Sequence, residues 1–339
     1  MAMISGASTQ LNEDRTRPTG SLQVVVLLAT YNGARYLSAF LESLAAQEHA
    51  RWQLLARDDG STDGTVELLE AFAAEHEVGR VRVMRPTQRL GPSQNFAELM
   101  RHARGELFFF ADQDDVWHPR KIKTIEAIAT NLMRQHGTAT PLLIHHDLRV
   151  VDASGAEIHP SFDTYAALRN GSRLSLRHTL VQNGATGCAI AFNEALRTAV
   201  GDMPAEAGMH DGWCALVATA RGLRHYHPEA LVDYRQHGGN AVGAGGRRAG
   251  IGAWVRALAT PPRDGDSLAP VRARAQALLR DHGEHMTPQD AAIVDAFVDA
   301  AGRPGLRRTI ALLRHGFTRS STTRTIGLLK SGFQRRDSP

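Results

Sequence analysis

Apolar and polar positions alternate in blocks through the first third of the chain. Residues 24–28 form a continuous apolar run, which is typical of a strand buried on both faces of a parallel sheet. Further strands are predicted at residues 52–56, 81–84 and 108–110. Between the strands apolar residues recur at helical spacing, as they do at Leu37, Phe40, Leu41 and Leu44. The resulting β-α-β-α-β-α-β order predicts a doubly wound sheet with crossover helices.

The pattern continues beyond the first third with longer irregular segments. Residues 156–180 show no period and are predicted to be a loop with a short helix. The other predicted elements are a helix between Pro119 and Gly137, strands at 142–151 and 187–192, a helix that opens at His210, and a strand at 231–237. A glycine-rich loop is predicted at 238–246, and the chain beyond residue 250 reads as helical.

The bulk composition is that of a globular protein in a reducing compartment. With 339 residues, the chain is long enough for one large domain with an appendage or for two domains. Cys188 and Cys214 have no spacing typical of a metal site or a disulfide framework. No apolar run approaches the roughly 18–20 residues that span a membrane, and residues 24–29 are too short for a signal peptide. We expect a cytoplasmic protein with a flexible leader at residues 1–21.

Basic residues are concentrated near the carboxyl end. From Arg303 onward there are nine Lys or Arg and one acid, which leaves 30 basic and 34 acidic residues before that point. The mildly acidic body argues against nucleic-acid binding. At 307–314 and 326–330 basic and apolar residues mix at near-helical spacing, which is typical of helices that lie on anionic membranes. Packing on the domain or an oligomer contact would explain the same pattern.

Carboxylates are crowded at the end of the aromatic strand. Asp112, Asp114 and Asp115 follow the three phenylalanines within a few positions. Such a cluster is costly to bury unless a cation neutralises it, so it predicts a divalent metal site; a solvated acidic turn is the alternative. Two more polar clusters, at 30–33 and 57–63, also end predicted strands. Ligands of doubly wound sheets bind at that edge, which indicates one shared site.

Five short motifs in order resemble those of family 2 glycosyltransferases, close to the rhamnosyltransferase-like members. The motifs are Thr30-Tyr31-Asn32-Gly33, Asp58-Asp59-Gly60-Ser61, Asp112-Gln113-Asp114-Asp115-Val116-Trp117, His210-Asp211-Gly212-Trp213 and Gln236-His237-Gly238-Gly239-Asn240. The resemblance implies an α/β fold of the nucleotide-diphospho-sugar transferase (GT-A) type, with a mixed, mainly parallel sheet flanked by helices. It implies a catalytic domain at 22–248 and a helical, basic extension at 249–339.

On the nucleotide side, the resemblance implies roles for two strand ends. Thr30, Tyr31 and Asn32 would edge the nucleotide pocket, with Tyr31 stacking on the base or walling it. An ordinary strand-to-helix turn with Asn32 as the N-cap is the structural alternative. Asp59 would accept the N3–H of a uracil or thymine ring, with Asp58 beside it.

Around the phosphates, the resemblance implies a metal site for Mg²⁺ or Mn²⁺. Asp114 would bind the ion directly, His237 would ligate it or contact the pyrophosphate, and Asp112 with Gln113 would belong to the donor site. Asp115 would have a supporting role. Arg235 and Arg247 are further candidates for phosphate contacts.

For the chemistry, the resemblance implies that Asp211 removes the proton of the acceptor hydroxyl, giving inversion without a covalent intermediate. A cap at the start of the helix is the structural alternative for Asp211. Trp117 either lines the sugar site or belongs to the core.

The implied activity is transfer of a sugar from a dTDP- or UDP-linked donor to a glycan or polyprenol-linked acceptor in bacterial surface polysaccharide synthesis. The resemblance favours rhamnose from dTDP-rhamnose as the sugar. Two alternatives remain at this stage: a sugar nucleotidyltransferase and a non-catalytic nucleotide-sugar-binding relative. No Walker-type phosphate loop and no G-x-G-x-x-G follow the first strand, which counts against a dinucleotide fold. Contact with the inner face of the plasma membrane, through the basic helices, is expected if they do not pack on the domain.

Overall fold

A nine-stranded mixed sheet forms the centre of the protein in a computed structural model that describes residues 22–86, 88–168, 174–237 and 268–330. The strands are β1 Val24–Thr30, β2 Trp52–Asp58, β3 Val81–Met84, β4 Leu107–Asp112, β5 Val116–Trp117, β6 Leu142–Val151, β7 Glu157–His159, β8 Ile190–Asn193 and β9 Leu223–Arg235. The predicted leader at 1–21, the glycine-rich loop at 238–246 with Asn240, Arg247 and the boundary at 248 lie outside the described residues.

The sheet has the order β3-β2-β1-β4-β8-β6-β9-β5, and β7 pairs with β6. The first four strands are parallel, whereas β8 runs antiparallel to both β4 and β6. In the parallel half, Thr30 lies opposite Asp58 and Ala29 lies opposite Asp112. The polar ends of β1, β2 and β4 therefore meet at one edge of the sheet, as the sequence pattern predicts.

Helices cover both faces of the sheet. They are α1 Ala34–Ala45, α2 Thr65–Ala74, α3 Pro92–His102, α4 Lys121–His136, α5 Phe162–Tyr165, α6 Leu176–Val181, α7 Glu194–Val200, α8 His210–Arg221, α9 Ala269–His282, α10 Pro288–Gly302, α11 Gly305–Arg314 and α12 Thr322–Lys330. The four apolar residues predicted to line the inner face of α1 are all buried. Gly137 follows the last residue of α4 with a positive φ of 88°, which explains the stop at that position.

Two predicted boundaries differ from the structure. The strand predicted at 187–192 begins only at Ile190, because Gly187–Ala189 forms a short 3-10 turn. The strand predicted at 231–237 begins at Leu223, well before its apolar stretch. Its first half is polar and only partly buried, so no apolar run marked it. Parallel pairing with β6 supplies its backbone partners instead.

The C-terminal helices share a core with the sheet domain. Residues of α9 to α11 and the loop after them join one buried cluster with Phe192 of β8 and Trp213 of α8, through Leu278, Phe297, Leu312 and Phe317. Burial of these side chains shows that the described part of the extension packs on the domain. Among the described helices, none is long and apolar enough to cross a bilayer.

Candidate active site

A cavity of about 440 Å³ opens at the polar edge of the sheet. It is lined by Ala29, Thr30, Tyr31, Asp59, Arg89, Gly91, Pro92, Asn95, Phe96, Asp112, Gln113, Asp114, Thr186, Gly187, Met209, His210, Asp211 and Tyr234. Seven of the ten predicted site residues are therefore in one lining. The three others, Asn32, Asp58 and His237, lie next to residues that line it.

Gln113 fastens the loop after β1 to the loop after β4. Its Oε1 accepts from the backbone N–H of Tyr31 at 2.9 Å, and its Nε2 donates to the Tyr31 carbonyl at 3.0 Å. The amide can lie there because Gly33 has no side chain: a Cβ at Gly33 would stand 2.1 Å from Oε1. Gln113 thus sets the position of Tyr31 at the cavity wall, in addition to the donor contact predicted for it.

Asp59 ties the loop at 88–91 to the end of β2. One of its oxygens accepts from Arg57 at 3.0 Å and from the Leu90 N–H at 2.8 Å, and the other accepts from the Gly91 N–H at 2.8 Å. A carboxylate offers about four lone-pair sites, so one acceptor position stays available. This geometry is compatible with the predicted contact to the N3–H of a pyrimidine base.

Asp58 has a different environment from its neighbour. Its two oxygens accept four hydrogen bonds, from the Thr30 hydroxyl, the Gly60 N–H, and the N–H and hydroxyl of Ser61. Because these donors use its acceptor capacity, Asp58 shapes the turn after β2. The geometry gives no support to the predicted place of Asp58 in the nucleotide site.

Asn32 also has a structural role that differs from the predicted one. It adopts a positive φ of 46°, and its Oδ1 accepts from the Thr62 N–H at 2.9 Å. The residue before α1 is Gly33, so Asn32 is not the N-cap. Asp63 instead accepts from the first N–H groups of both α1 and α2, at Ala34 and Thr65. The β1 and β2 loops are therefore joined through side chains of the same motifs.

An arginine that the sequence analysis missed covers the aromatic wall. The Arg89 guanidinium carbon lies 3.8 Å from the ring centroid of Tyr31. Arg89 also lines the cavity, with its side chain 62% exposed, and its Nε is 4.0 Å from Asp59. A base that enters beside Asp59 would thus meet a guanidinium and an aromatic ring together.

Two neighbouring carboxylates act on Asp112 in the cavity. Burial, together with the charges of Asp114 and Asp211, raises the pKa of Asp112 to about 7. Repulsion of this kind is relieved when a cation binds between the groups. The residues therefore fit a divalent cation by charge as well as by the oxygen ligands that Mg²⁺ and Mn²⁺ prefer.

The predicted metal pair is brought together by β9. His237 Nε2 lies 2.9 Å from Asp114 Oδ2, although the residues are far apart in the chain. The ring of Tyr36 stacks on His237 at 4.6 Å and fixes its plane. An imidazole and carboxylates in this arrangement are a suitable donor set for a divalent ion.

A second group with ligand atoms lies deeper, behind the cavity. Asp112, Asp115 and Cys188 place a carboxylate or thiol atom within 4.8 Å of one another. Burial and the neighbouring acids raise the pKa of the Cys188 thiol well above its usual range, so the thiol keeps its proton. A protonated thiol is a poor metal ligand. The shallower carboxylates and His237 are therefore the better donor set.

Lys121 compensates the buried acids. Its side chain is fully buried, donates to the Cys188 carbonyl at 2.7 Å and lies 3.6 Å from the ring centroid of Trp117. Burial lowers the pKa of Lys121 to about 7, while Asp115 and Asp112 oppose that shift. Trp117 itself is buried and does not line the cavity, which settles its role as core.

Asp211 lies at the start of α8 and faces the acids of β4. Burial raises its pKa to about 6, against hydrogen bonds from the Gly212 N–H, the Asn183 amide and the Gly187 N–H. A carboxylate with this pKa is ionised at neutral pH and can still accept a proton. The position fits the predicted base, and the favourable helix-start contact of the alternative is present as well.

Arg235 is engaged with backbone and not with an open phosphate site. Its guanidinium donates to the Asp114 carbonyl at 2.9 Å and to the Ala153 carbonyl at 3.2 Å, and its own N–H donates to Asp115. Those bonds hold the acidic loop against β9. Arg235 therefore has a supporting role in the structure, and its contact with phosphate stays a prediction.

The sheet order, the helices on both faces and the site at the ends of β1, β2 and β4 define a GT-A type fold, as predicted. Residues 25–133 match the family model described as Glycosyl transferase family 2. The matched segment begins in β1 and ends within α4, so it contains the ends of β1, β2 and β4 that line the cavity. The rhamnosyltransferase-like subtype stays a prediction.

Known proteins are similar to the chain over limited lengths. EpsE of Bacillus subtilis is 29% identical over 152 residues, 44% of this chain and 52% of EpsE. WfgD of Escherichia coli, a UDP-Glc:α-D-GlcNAc-diphosphoundecaprenol β-1,3-glucosyltransferase, is 27% identical over 30% of this chain and 38% of its own length. The chain therefore spans about half the length of EpsE and less of WfgD. TarS of S. aureus, solved with UDP-GlcNAc, shares the fold with a TM-score of 0.52 at 16% identity, over 92% of each chain.

Proposed function

We propose that the protein is an inverting, metal-dependent glycosyltransferase that uses a nucleoside-diphosphate sugar in bacterial surface polysaccharide synthesis. The observation that carries the proposal is the opposition of Asp211 to the acids of β4 across one cavity. A base on one side and a cation-binding group on the other are what a single displacement at the anomeric carbon needs.

The nucleotide would occupy the side of the cavity built by β1 and β2. Asp59 accepts the N3–H of a pyrimidine base with its remaining lone pair, and Tyr31 with Arg89 walls the ring. Thr30 also lines this side of the cavity and is uncharged, and its hydroxyl donates a hydrogen bond to Asp58. These contacts suit uracil and thymine equally, because both rings carry the N3–H donor.

The phosphates would lie near Asp112, Asp114 and His237. A bound Mg²⁺ or Mn²⁺ supplies charge neutralisation for the departing nucleoside diphosphate. Gln113 and Arg235 fix the acidic loop after β4, because Gln113 bonds Tyr31 and Arg235 bonds the Asp114 carbonyl. The acids of this loop are thereby held near the phosphates. On the opposite side, Asp211 accepts the proton of the acceptor hydroxyl as its oxygen attacks the sugar.

The identity of the sugar is the least constrained part of the proposal. Rhamnose from dTDP-rhamnose stays the prediction from the sequence, whereas WfgD by its name uses UDP-glucose. The name of WfgD also includes a diphosphoundecaprenol-linked acceptor, which agrees with the glycan or polyprenol-linked acceptor expected here.

A donor panel tests the proposal. We expect dTDP-rhamnose, UDP-glucose or UDP-GlcNAc to raise the melting temperature in Mn²⁺ or Mg²⁺, and chelation to remove most of the rise. The matched variant Asp59→Asn should lower the affinity for UDP and dTDP. Equal stabilisation by ADP-glucose, which lacks the N3–H donor, would contradict the pyrimidine assignment. Absence of stabilisation by any nucleotide with metal would contradict the function.

We also propose that α11 rests on an anionic membrane. Leu306, Ile310 and Leu313, spaced one turn apart, are 59%, 43% and 50% exposed. Arg307 and Arg314 are exposed beside them, and the described residues place no carboxylate within ion-pair distance of either. An apolar stripe with flanking cations is complementary to an anionic bilayer.

Replacing the stripe tests the membrane contact without uncovering the core. The triple change Leu306→Ser, Ile310→Ser and Leu313→Ser should abolish most binding to phosphatidylglycerol vesicles and leave UDP affinity unchanged. Val78→Ser, which changes an exposed apolar residue on another surface, is the matched control. Unchanged binding of the triple variant would assign α11 to packing or to an oligomer contact.

A further inference from the structure

One guanidinium beside the proposed base has no hydrogen-bond acceptor among the residues that the structure describes. Arg274 belongs to α9, and its Nη1 lies 3.4 Å from the point that a Cβ on Gly212 would occupy and 4.0 Å from the same point on Gly208. The Asn183 amide nitrogen stands 3.5 Å from the Gly212 point. Arg274 and Asn183 therefore flank the first turn of α8, which carries Asp211.

Within the described ranges, Arg274 makes no hydrogen bond and no ion pair within 4.0 Å. Asp211 is the acid whose charge acts on it, from beyond that distance. The nitrogens of Arg274 are not among the buried polar atoms that lack a partner, so they keep access to solvent. Arginine stays charged in proteins, so the solvent-accessible donors of Arg274 are available to an anionic ligand.

Two other arginines that are buried or partly buried show the contrast. Arg57 is paired with Asp59 and Asn95, and Arg197 is paired with Glu194. Arg274 is held by α9 next to the base, and its donors meet no acceptor in the part of the chain that the structure describes. An arginine fork matches phosphate oxygens in two parallel hydrogen bonds.

Two more arginines lie along the same side. Arg319 donates through Nε to the Val181 carbonyl at 3.0 Å, two residues before Asn183. Arg324 acts electrostatically on Arg319, and burial lowers the pKa of both side chains. Arg319 and Arg324 thus add positive charge near the segment that leads to Asn183, and neither has a carboxylate partner among the described residues. Positive charge in this region favours an anionic ligand.

We propose that Arg274 binds a phosphate group of the acceptor, close to the sugar whose hydroxyl reacts. The inference rests on the proposed function and names the acceptor as a phosphate-bearing glycan. The C-terminal helices then supply a binding residue to the site, in addition to their packing. The phosphate belongs either to a lipid diphosphate carrier or to a phosphate ester without lipid, and both present the same oxygens to Arg274.

Inorganic pyrophosphate is the first probe, in buffer without divalent cations and without nucleotide. Calorimetric titration should show binding to the full chain that Arg274→Gln weakens at least about tenfold and Arg274→Lys weakens less. Arg134→Gln, which changes an exposed arginine of α4 that donates to Asn131, is the control and should bind as the unchanged protein does. Equal binding by folded Arg274→Gln would overturn the proposal.

A measurement on the unchanged protein covers the case in which the variants do not fold. Phenylglyoxal modifies accessible arginines, and peptide mass mapping gives the rate at each position. Pyrophosphate should slow modification of Arg274 at least about threefold and leave the rate at Arg134 unchanged. The same rate at Arg274 with and without pyrophosphate would overturn the proposal.

Transfer assays then identify the source of the phosphate. With one acceptor sugar in three forms, as a lipid diphosphate, as a sugar 1-phosphate and as a methyl glycoside, Arg274→Gln should raise KM for the phosphorylated forms only. A rise confined to the lipid form assigns the carrier, and a rise for both assigns the phosphate itself. A rise in KM for the methyl glycoside equal to that for the phosphorylated forms would contradict phosphate recognition.

Failure of the proposed function can be told apart from failure of this inference. Failure of UDP to bind with Mg²⁺ would reject the proposed function, while the pyrophosphate experiments would still decide the role of Arg274.

Discussion

The two sides of the cavity are built in different ways. On the nucleotide side, the loops after β1, β2 and β4 hold one another through their own side chains, as Gln113 holds Tyr31 and Asn32 holds Thr62. On the base side, Asp211 depends on segments from elsewhere in the chain, including Asn183, the Gly187 turn and α9. The nucleotide side is thus held together by side chains of the predicted motifs themselves, whereas the base side also depends on residues outside those motifs and on the C-terminal helix α9.

The difference has a functional consequence. A pocket whose loops hydrogen-bond to one another keeps its shape when the acceptor changes, because none of those bonds involves the acceptor side. A pocket assembled by C-terminal helices can be altered through those helices without loss of the nucleotide contacts. We therefore expect substitutions to separate donor binding from acceptor use, and the following experiments test that separation.

The largest expected effect is on the base. Asp211→Asn should lower kcat by about 10²–10⁴-fold, the usual contribution of a positioned general base. Affinity for the donor nucleotide with metal should stay within about twofold, because Asp211 is on the other side of the cavity from Tyr31 and Asp59. Steady-state kinetics and nucleotide titration measure the two quantities. Retained transfer would remove Asp211 from the base role.

The pH profile of the unchanged enzyme is the control for that assignment. The ionised carboxylate is the active form, and burial raises its pKa to about 6, so kcat/KM should fall as the pH drops through about 6. In Asp211→Asn the residual rate should lose that acidic limb. If the rate of the variant still falls below about pH 6, a group other than Asp211 controls the acidic side of the pH profile.

Lys121 lies behind the cavity, and its replacement should lower the free energy of unfolding more than the other substitutions described here. The ammonium donates to the carbonyl of Cys188, next to the Gly187 turn that contacts Asp211, and the charges of Asp115 and Asp112 act on it. Lys121→Met leaves Asp115 and Asp112 without their buried cation, which should cost about 3 kcal/mol of the free energy of unfolding. Chemical denaturation measures that loss.

A nearby lysine on the same helix provides the comparison. Lys123 is 67% exposed and pairs with Glu48 at the surface, so Lys123→Met should change the free energy of unfolding by less than about 1 kcal/mol. Similar losses for both lysines would show that the buried acids do not need Lys121.

The sequence predicted the two sides to unequal extents. Asp59, Asp112 and Asp114 could be found because each follows an apolar run, and register brings such positions to one edge of a parallel sheet. The aromatic run also predicted β4, because a continuous apolar run is typical of a strand buried on both faces. Pattern and register therefore brought these three carboxylates to one edge, whereas the turn-forming contacts of Asp58 and Asn32 became visible only in the structure.

Lys121 and Arg274 could not be found in the same way. A lysine in the first turn of an amphipathic helix indicates a solvent-facing position, and only the packing of α4 beneath β4 buries Lys121. Arg274 lies on a helix whose pattern predicts packing or a surface, and nothing in its local sequence shows that α9 reaches α8. Arg89 follows no strand and precedes α3, so its contact with Tyr31 also depended on the tertiary fold.

The close contact between Gln113 and Gly33 is the next feature of the nucleotide side to test. In Gly33→Ala, the new Cβ would displace the Gln113 amide, which lies at 2.1 Å from it, and both bonds to Tyr31 would be lost. We expect about a tenfold loss of UDP affinity, with a change in stability of roughly 1 kcal/mol. Titration of the variant with UDP and Mg²⁺ measures the affinity.

A double-mutant cycle shows whether the two residues act together. Gln113→Ala should lower UDP affinity by a similar factor, and adding Gly33→Ala to it should cost little more, since the clash is then gone. Fully additive losses would mean that Gly33 acts through another contact.

Arg89 gives the smallest expected effect and the sharpest test of the aromatic wall. Arg89→Ala removes the guanidinium that covers Tyr31 at 3.8 Å, a contact worth about 0.5–1 kcal/mol at an exposed site. UDP affinity should fall about two- to fivefold, and Arg89→Lys should recover part of it because the charge remains. The control is Arg104→Ala, which changes an arginine that bonds only its own loop among the described residues. If Arg89→Ala changes acceptor KM and leaves UDP affinity as it was, the wall formed by Tyr31 and Arg89 belongs to the acceptor, and the division between the two sides must be drawn elsewhere.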